Sequence, residues 1–206
     1  MLVDKLIERG YLKTPEIIAA FKKIKRVDFL REEYKHLAEI DEPLPIGYGQ
    51  TISQPLTVAF MFELLQPKKG DKILDIGSGS GWTTALLAEI VGESGKVYGI
   101  EIIPELKEFG EKNVSKYNFI KKGIVKFVCG DGSQGLPSEK PFDKILVSAS
   151  AESVPNSLKE QLKNNGRMVI PVKNSIFLIT KEENKYKEKE FPYFSFVPLV
   201  SNCIQK

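Results

Sequence analysis

The sequence predicts a single α/β domain with a doubly wound, mostly parallel sheet. From residue 70 onward, short apolar segments alternate with helical segments, which is typical of a parallel sheet covered on both faces. A glycine-rich loop, residues 77–81, separates the first of these strands from the helix after it. The last two apolar segments follow each other without a helix between them, which indicates an antiparallel element that closes the sheet.

The N-terminal part of the chain predicts a helical addition to this sheet. Thr14 is a candidate N-cap and Pro15 a candidate first helical residue, and apolar residues then recur at helical spacing. Residues 41–50 contain two prolines and two glycines, which predicts irregular structure there. Helices are expected over about 15–26, 29–38 and 57–65.

The remaining chain predicts the sheet and its covering helices. Segments at about 176–180 and 193–199 are expected to form the closing pair, on either side of a charged turn at 181–190. The whole chain, 1–206, is therefore predicted as one domain, with a helical addition over 1–66 and a ligand-binding core over 67–206. Strands are expected over 72–76, 96–100, 124–128, 144–147 and 167–172, and helices over 82–91, 104–117 and 155–162.

Composition excludes several classes of protein. The 206 residues include two Cys and one His, too few for a disulfide framework or a zinc finger, and this usage predicts a reduced, cytoplasmic protein with no metal. The net charge of +3 is dispersed, so no basic segment indicates a nucleic-acid partner. Apolar stretches are too short for a membrane span, and we expect no membrane partner.

The glycine-rich loop predicts a ligand at the start of the following helix, where N–H groups point outward. A dinucleotide fingerprint, G-x-G-x-x-G, brings a pyrophosphate to this place. Gly77 and Gly79 fit that pattern, but Trp82 stands where the third glycine is needed, and Gly81 comes one residue early. The spacing therefore disfavours an NAD-linked oxidoreductase.

Three acidic residues at successive strand ends further restrict which ligands are possible. Asp75 precedes the loop, where a carboxylate can bind a cationic amino-acid head group. Glu101 ends the second strand, where it can accept hydrogen bonds from ribose hydroxyls. Asp131 follows the third strand, where it can bind an adenine amino group. Each acid alone is more often a helix cap or a solvated side chain. Their joint spacing, without a phosphate-binding lysine, favours a nucleoside that lacks phosphates, such as S-adenosylmethionine.

With these motifs in place, the chain resembles the protein-L-isoaspartate O-methyltransferase family over about residues 26 to 200. The glycine loop alone indicates only the wider S-adenosylmethionine-dependent, Rossmann-like methyltransferases. The resemblance is carried by further segments in the same order: Glu42-Pro-Leu-Pro-Ile-Gly-Tyr-Gly-Gln-Thr-Ile-Ser-Gln-Pro55, Gly130-Asp-Gly132, the run from Pro155 to Gln161, Ile170-Pro-Val172 and Phe196-Val-Pro-Leu199.

The resemblance implies transfer of a methyl group from S-adenosylmethionine to L-isoaspartyl residues of damaged proteins and peptides, which initiates their repair. It implies that residues 196–199 form an edge strand whose backbone groups are free to hold the peptide. The implied substrate-binding residues are Val197, Pro198 and Leu199, and the predicted cofactor-binding residues are Gln50, Thr51, Ile52, Asp75, Gly77, Ser78, Gly79, Glu101, Asp131 and Gly132.

Ser53 is the candidate catalytic residue, because it lies in the segment that matches the family and its hydroxyl can donate to the substrate carboxylate. A carboxylate with a pKa of ~4 is already ionised at neutral pH, so the reaction needs no general base. Catalysis then rests on placing that carboxylate against the methyl group, shielded from water. The alternative role for Ser53 is an N-cap of the helix at 57–65.

The sequence departs from the family pattern at three places, of which the first two border the expected substrate cleft and bear on peptide selectivity. Leu56 stands where many members have a His or an aromatic residue, Ser148 and Ser150 lie where Thr and Ala are usual, and Lys173 replaces a usual Gly. Two alternative functions stay open: a methyltransferase acting on another small or macromolecular acceptor, and a non-catalytic module that only binds a partner. Residues 147–150 lack the Asn/Asp-Pro-Pro-aromatic motif of enzymes that methylate nucleic-acid amino groups.

Overall fold

The computed structural model describes residues 1–183 and 185–199, and this part of the chain forms a seven-stranded sheet flanked by helices. The α-helices are α1 Leu2–Glu8, α2 Pro15–Lys23, α3 Pro55–Leu65, α4 Trp82–Val91, α5 Pro104–Ser115 and α6 Asn156–Glu160. The strands are β1 Leu44–Gly47, β2 Gln50–Ile52, β3 Lys72–Ile76, β4 Lys96–Glu101, β5 Val125–Cys129, β6 Phe142–Val147, β7 Leu162–Val172, β8 Ser175–Glu182 and β9 Lys185–Pro192.

The order of the strands confirms the predicted fold class and shows where a ligand can bind. The order is β5-β4-β3-β6-β7-β8-β9, in which β5 to β7 are parallel and β8 and β9 are antiparallel. The chain builds outward from β3 to β5 and then returns to place β6 on the other side of β3. The sheet therefore reverses its direction of winding between β3 and β6, and ligands of such sheets bind at the carboxyl ends of strands at this point.

Alternate residues of the central strands face two different cores, as the two-residue period of a strand requires. In β3, Ile73 packs into the core formed with α1 to α5, whereas Leu74 and Ile76 pack on the opposite face with α6. This burial on both faces explains why the central strands are almost wholly apolar. Within the described residues, no helix is long and apolar enough to cross a membrane.

The N-terminal addition differs in detail from the prediction. The expected helix over 29–38 is wrong: two 3₁₀-helices, Arg26–Phe29 and Glu32–Leu37, occupy this region. The irregular structure expected at 41–50 is also wrong, because β1 and β2 form a hairpin with Gly47 opposite Gln50. Tyr48 and Gly49 at its tip both have positive φ, 55° and 70°, which is the conformation that a two-residue hairpin turn requires.

The C-terminal prediction was wrong in its placement of the strands. The charged segment at 181–190 is not a turn: β8 extends to Glu182, and β9 covers most of the remainder. β9 is an edge strand with largely exposed side chains, so alternating Lys and Glu are compatible with it and discourage pairing with another chain. Residues 193–199 are not a regular strand; they contribute only a single parallel bridge between Pro198 and Ser150.

One carboxylate fastens α2 to α3. Glu63 Oε1 accepts from the backbone N–H groups of Lys13 and Thr14, at 2.7 and 2.8 Å, and its Oε2 accepts from the Thr14 hydroxyl at 2.7 Å. Thr14 occupies the N-cap position of α2, as predicted, but its side chain makes no capping bond: the hydroxyl donates to Glu63 and accepts from Gln66 Nε2 at 3.1 Å.

Replacing Glu63 with Ala should therefore lower the free energy of unfolding by about 2–3 kcal/mol, since four donors, including Gln66 Nε2 at 3.2 Å, lose a charged acceptor. Urea denaturation measures this change. The matched control is Glu89→Ala, which removes only a surface ion pair with Lys23 and should cost about 0–1 kcal/mol. Equal costs for the two variants would contradict a special role for Glu63.

Candidate functional site

A cavity lies at the carboxyl ends of the strands on either side of the reversal point; we call it the main cavity. Its walls are the β1–β2 hairpin, residues 76–80, residues 100–103 and residues 197–199. A second cavity lies beside it, lined by residues that include Pro43, Gln54, Thr57, Ser195 and Phe196. The two cavities share a wall of four residues, which we call the shared wall: Thr51, Ser53, Ser148 and Val197.

The glycine loop wraps closely around the end of β4. The N–H groups of Gly77 and Ser78 both donate to the carbonyl of Ile100, at 2.9 and 3.0 Å, and the N–H of Gly79 donates to Glu101 Oε2 at 2.9 Å. Gly77 and Gly79 have φ of 75° and 49°, where a side chain is disfavoured. The loop thus presents backbone to the main cavity, which Gly77, Ser78 and Gly79 all line.

The position of the third glycine follows from helix packing. Gly81 is the N-cap of α4 with φ of 84°, and a Cβ there would lie 2.8 Å from the carbonyl oxygen of Gly110 on α5. Trp82 next to it both lines the main cavity and packs edge-on against Phe21 of α2, with ring centroids 5.7 Å apart. Gly81 therefore serves the contact between α4 and α5, and Trp82 joins the N-terminal addition to the cavity.

Glu101 is positioned by backbone bonds while it faces the main cavity. Its Oε2 accepts from Gly79, and its Oε1 accepts from the N–H of Ile103 at 3.1 Å, so each oxygen keeps a second lone pair for a ligand hydroxyl. Burial raises the pKa of Glu101, and the backbone hydrogen bonds that it accepts act in the opposite direction. Within the described residues, Glu101 is the only Asp, Glu, Lys or Arg that lines the cavity.

Asp75 does not line the main cavity, so its predicted direct contact with an amino-acid head group has no support in this geometry. The carboxylate is fully buried behind the loop, and its Oδ2 accepts from the hydroxyls of Thr83 and Thr84 at 2.9 and 2.6 Å. It links the end of β3 to the first turn of α4. Burial raises the pKa of Asp75 to about 6, the threonine bonds lower it, and the charge of Glu101 raises it.

This pKa makes the stability of the protein depend on pH. A carboxyl whose pKa rises from about 4 when unfolded to about 6 when folded binds its proton more tightly in the folded state. Its contribution to stability is therefore full below pH ~4 and is lost as the pH rises through about 6, by up to about 3 kcal/mol. Asp75→Asn should flatten the decline in unfolding free energy between pH 4 and 7, measured in urea. Parallel declines in both proteins would contradict this assignment.

Asp131 lies beside the main cavity but outside its lining. Its Oδ1 accepts from the N–H of Ser133 at 2.8 Å, so the side chain caps the short 3₁₀-helix Gly132–Gln134. Its neighbours Gly130 and Gly132 do line the cavity, and a Cβ on Gly132 would lie 2.3 Å from Ile76 Cγ2. Contact of Asp131 with an adenine amino group stays a prediction.

Ser53 lies in the shared wall and is not an N-cap. The N-cap position of α3 is Gln54, whose side chain makes no capping bond, and the N–H of Leu56 in the first turn donates instead to Asp41 Oδ1 at 2.8 Å. The Ser53 hydroxyl makes no hydrogen bond to any of the residues that the structure describes, whereas its backbone carbonyl accepts from Arg26 Nη2 at 3.4 Å. Strand β2, which consists of Gln50, Thr51 and Ile52, precedes it, and all three residues line the main cavity.

Residues 197–199 border the main cavity, but not all of their backbone is available to a peptide. The carbonyl of Val197 accepts from the N–H of Ser150 at 2.8 Å, and the N–H of Leu199 donates to the carbonyl of Ser150 at 2.8 Å. The prediction of free backbone groups was therefore partly wrong, because Ser150 already pairs with two of them. The Val197 N–H and the Pro198 carbonyl have no backbone partner among the described residues.

The sequence interpretation missed Tyr48 and the place of Ser148 in a wall common to both cavities. Tyr48 lines the main cavity from the tip of the hairpin, and the hairpin itself was not predicted. Ser148 follows β6 and belongs to the shared wall, held there by its N–H, which donates to the carbonyl of Ile76 at 2.8 Å. Its place directly after a strand next to β3 was the signal available in the sequence.

The lining of the main cavity fits a nucleoside that carries a positive charge and no phosphates. Within the described part of the chain, no Lys or Arg lines the cavity to meet a phosphate, and Glu101 supplies a carboxylate for ribose hydroxyls. The glycine backbone leaves room for close approach of a ligand. No group of three or more His, Cys, Asp or Glu among residues 1–183 and 185–199 is arranged to hold a metal ion.

Comparisons with known proteins agree with this description. The family model described as protein-L-isoaspartate(D-aspartate) O-methyltransferase matches residues 1–204. A protein-L-isoaspartate O-methyltransferase of Methanopyrus kandleri is 43% identical over 204 residues, 97% of this chain and 89% of the relative. A second, from Archaeoglobus fulgidus, is 46% identical over 188 residues, 89% of this chain and 84% of the relative.

A solved structure is similar over almost the whole chain. It is a crystal structure from Plasmodium falciparum, described as a protein-L-isoaspartate O-methyltransferase in complex with S-adenosyl-L-homocysteine. The TM-score is 0.88 at 27% sequence identity, and the match covers 98% of this chain and 97% of that one. Its bound molecule is the demethylated form of S-adenosylmethionine.

Proposed function

Because the chain belongs to the protein-L-isoaspartate(D-aspartate) O-methyltransferase family, it methylates L-isoaspartyl carboxylates with S-adenosylmethionine, and we propose that the two adjoining cavities hold the two reactants. In this proposal the main cavity takes the methyl donor and the second cavity takes the isoaspartyl residue. The single observation that carries it is the shared wall, since a methyl group must pass between two molecules that meet at one place.

S-Adenosylmethionine supplies an activated methyl group on a positively charged sulfur. Around it, we propose that Glu101 accepts hydrogen bonds from the ribose hydroxyls, and that the backbone of Gly77, Ser78 and Gly79 packs against the donor. In the same proposal, the opposite wall of the donor site is formed by Gln50, Thr51 and Ile52. The adenine lies near Asp131 and Gly132. Asp75 supports the loop from behind through Thr83 and Thr84.

The chemistry requires positioning rather than proton transfer. A carboxylate oxygen of the isoaspartyl residue attacks the methyl carbon, the bond from carbon to sulfur breaks, and the sulfur leaves as a neutral thioether. The attacking carboxylate, with a pKa of ~4, is already ionised near pH 7. No proton moves in this step, which agrees with a shared wall that contains hydroxyls and apolar groups but no His, Asp or Glu among the described residues.

We propose that Ser53 orients the carboxylate by donating a hydrogen bond from its otherwise unpaired hydroxyl. A hydrogen bond to a charged acceptor contributes about 1.5–3 kcal/mol. The hydroxyl lies where both cavities meet, so the same bond can fix one carboxylate oxygen and leave the other facing the donor. Val197 belongs to the shared wall, Pro198 and Leu199 follow it along the main cavity, and we propose that these residues limit how the peptide enters.

The proposal extends to the organisation and partners of the protein. Residues 1–66 supply the hairpin and Ser53, so this addition would complete the active site on a cofactor-binding core of residues 67–206. The acceptors would be damaged, isoaspartyl-containing proteins and peptides. Two Cys in 206 residues suit a reducing, cytoplasmic location.

The experiment is transfer of a radiolabelled methyl group to two synthetic peptides of the same sequence, one with L-isoaspartate and one with normal aspartate. The expected result is labelling of the isoaspartyl peptide alone. Equal labelling of both peptides would contradict the substrate assignment, and labelling of neither would contradict the proposed function.

A further inference from the structure

Arg26 is a buried cation that donates a hydrogen bond to the backbone of Ser53. It lies at the start of the first 3₁₀-helix, with only 6% of its surface exposed. Its two terminal nitrogens donate to four backbone carbonyls, three of them within residues 38–42 and the fourth at Ser53. Nη1 bonds to Ile40 at 3.0 Å and to Ala38 at 3.3 Å, and Nη2 bonds to Glu42 at 2.7 Å and to Ser53 at 3.4 Å.

The same guanidinium also contacts the wall that faces the methyl donor. Its central carbon lies 5.6 Å from the centre of the Trp82 ring, within the range of a cation–π contact. Trp82 lines the main cavity, and Ser53 lies in the shared wall. One side chain therefore joins the group proposed to hold the acceptor with a group beside the donor.

The energetics favour a geometric role for this residue. Burial lowers the pKa of Arg26 to about 10, while Asp41 and Glu39 raise it, so the side chain stays charged near pH 7. Removing a charge from water offsets much of what its hydrogen bonds contribute, so a buried cation is weak evidence for added stability. A planar guanidinium, however, fixes the directions of its donors in a way that a lysine ammonium does not.

We propose that Arg26 is a positioning residue for methyl transfer: by binding the carbonyls of residues 38–42 and of Ser53 while stacked on Trp82, it sets the distance between the Ser53 hydroxyl and the methyl donor. The inference rests on the proposed function, because it requires Ser53 to hold the acceptor carboxylate. It acts through Ser53 and makes no contact with either reactant.

The test is Arg26→Lys, which keeps the charge but cannot reach all four carbonyls from one nitrogen. With the isoaspartyl peptide, kcat should fall about 10- to 100-fold, as expected when a reacting group is displaced by about an ångström. The peptide KM should change much less than kcat, and the affinity for S-adenosylhomocysteine, measured by calorimetry, should stay within about threefold. Emission of Trp82, the only tryptophan in the chain, should also change.

The matched control is Tyr117→Phe, which loosens the same 3₁₀-helix without touching Ser53. The Tyr117 hydroxyl donates to Asp28 Oδ2 at 2.6 Å and accepts from the N–H of Lys25 at 2.9 Å. This variant should lose stability while its kcat and its Trp82 emission stay at the wild-type values. A parallel loss of kcat and stability in both variants would overturn the proposal.

A second substitution, and the folding of both Arg26 variants, test the positioning role further. Arg26→Gln, with two donors instead of five, should show the same fall in kcat; a kcat near the wild-type value in either folded variant overturns the proposal. If neither Arg26 variant folds, the residue is structural and the proposal is overturned as well. Failure of the wild-type enzyme to label the isoaspartyl peptide in the same assay would instead contradict the proposed function.

Discussion

Ser53→Ala is expected to lower kcat for the isoaspartyl peptide by about 10- to 100-fold, because the carboxylate loses the hydrogen bond that orients it toward the methyl group. The change leaves the backbone of the shared wall in place, because the hydroxyl makes no bond within the described structure. Affinity for S-adenosylhomocysteine should therefore stay close to that of the wild-type protein, so that kcat and cofactor affinity separate.

The matched control for this change is Ser115→Ala on α5, where an exposed hydroxyl donates to the carbonyl of Glu111 at 2.8 Å. It removes the same atom far from both cavities, and its kcat should equal that of the wild type. Single-turnover methyl transfer measures the chemical step in each protein. If Ser53→Ala transfers the methyl group as fast as the wild type, Ser53 does not orient the carboxylate.

Glu101→Gln should weaken S-adenosylhomocysteine binding by about 100-fold, because two hydrogen bonds from ribose hydroxyls lose their charged acceptor. The amide also places a donor NH₂ against the N–H of Gly79 or of Ile103, each of which now donates to the carboxylate. Isothermal titration calorimetry measures the dissociation constant, and kcat at saturating donor should change far less than the affinity.

Glu105→Gln provides the control for this variant. Glu105 is exposed in the first turn of α5, four residues after Glu101, so the same change of charge there should leave the affinity unaltered. Wild-type affinity in Glu101→Gln would show that the ribose lies elsewhere, and the orientation of the donor in the main cavity would have to be reversed.

The parts of the site that sequence predicted well are those that local rules determine. A glycine loop between a strand and a helix, with Glu101 at the end of the next strand, is fixed by the geometry of consecutive strand and helix units. The structure brings both to the main cavity. The sequence also shows that the third glycine is Gly81, one residue earlier than the dinucleotide pattern requires. The reason for this position is the contact of Gly81 with Gly110 on α5, which depends on packing between two helices.

The direction of the Asp75 side chain could not be predicted from the sequence. Its position at the end of β3 was read correctly, but the direction of the side chain depends on two hydroxyl groups, from Thr83 and Thr84, that turn back toward the strand. Sequence patterns report which residues face a core and which face away; they do not report which of several polar neighbours a buried carboxylate selects.

The C-terminal hairpins illustrate a different limit. Charged residues in β9 were read as a turn because Lys and Glu are uncommon in central strands, yet an edge strand tolerates them. Lys173, the departure from a usual glycine, occupies the first position of the turn between β7 and β8 with φ of 52°, a conformation that glycine adopts without strain. Its carbonyl accepts from the Ser150 hydroxyl at 3.0 Å, so the two departures contact each other.

The most direct test of methyl transfer at the shared wall is a crystal structure of the protein with S-adenosylhomocysteine and an isoaspartyl peptide bound together. We expect the sulfur in the main cavity, the peptide in the second cavity and the isoaspartyl carboxylate within hydrogen-bond distance of Ser53 Oγ. A carboxylate bound away from the shared wall, with Ser53 turned from it, would contradict the claim that this wall is where the methyl group passes.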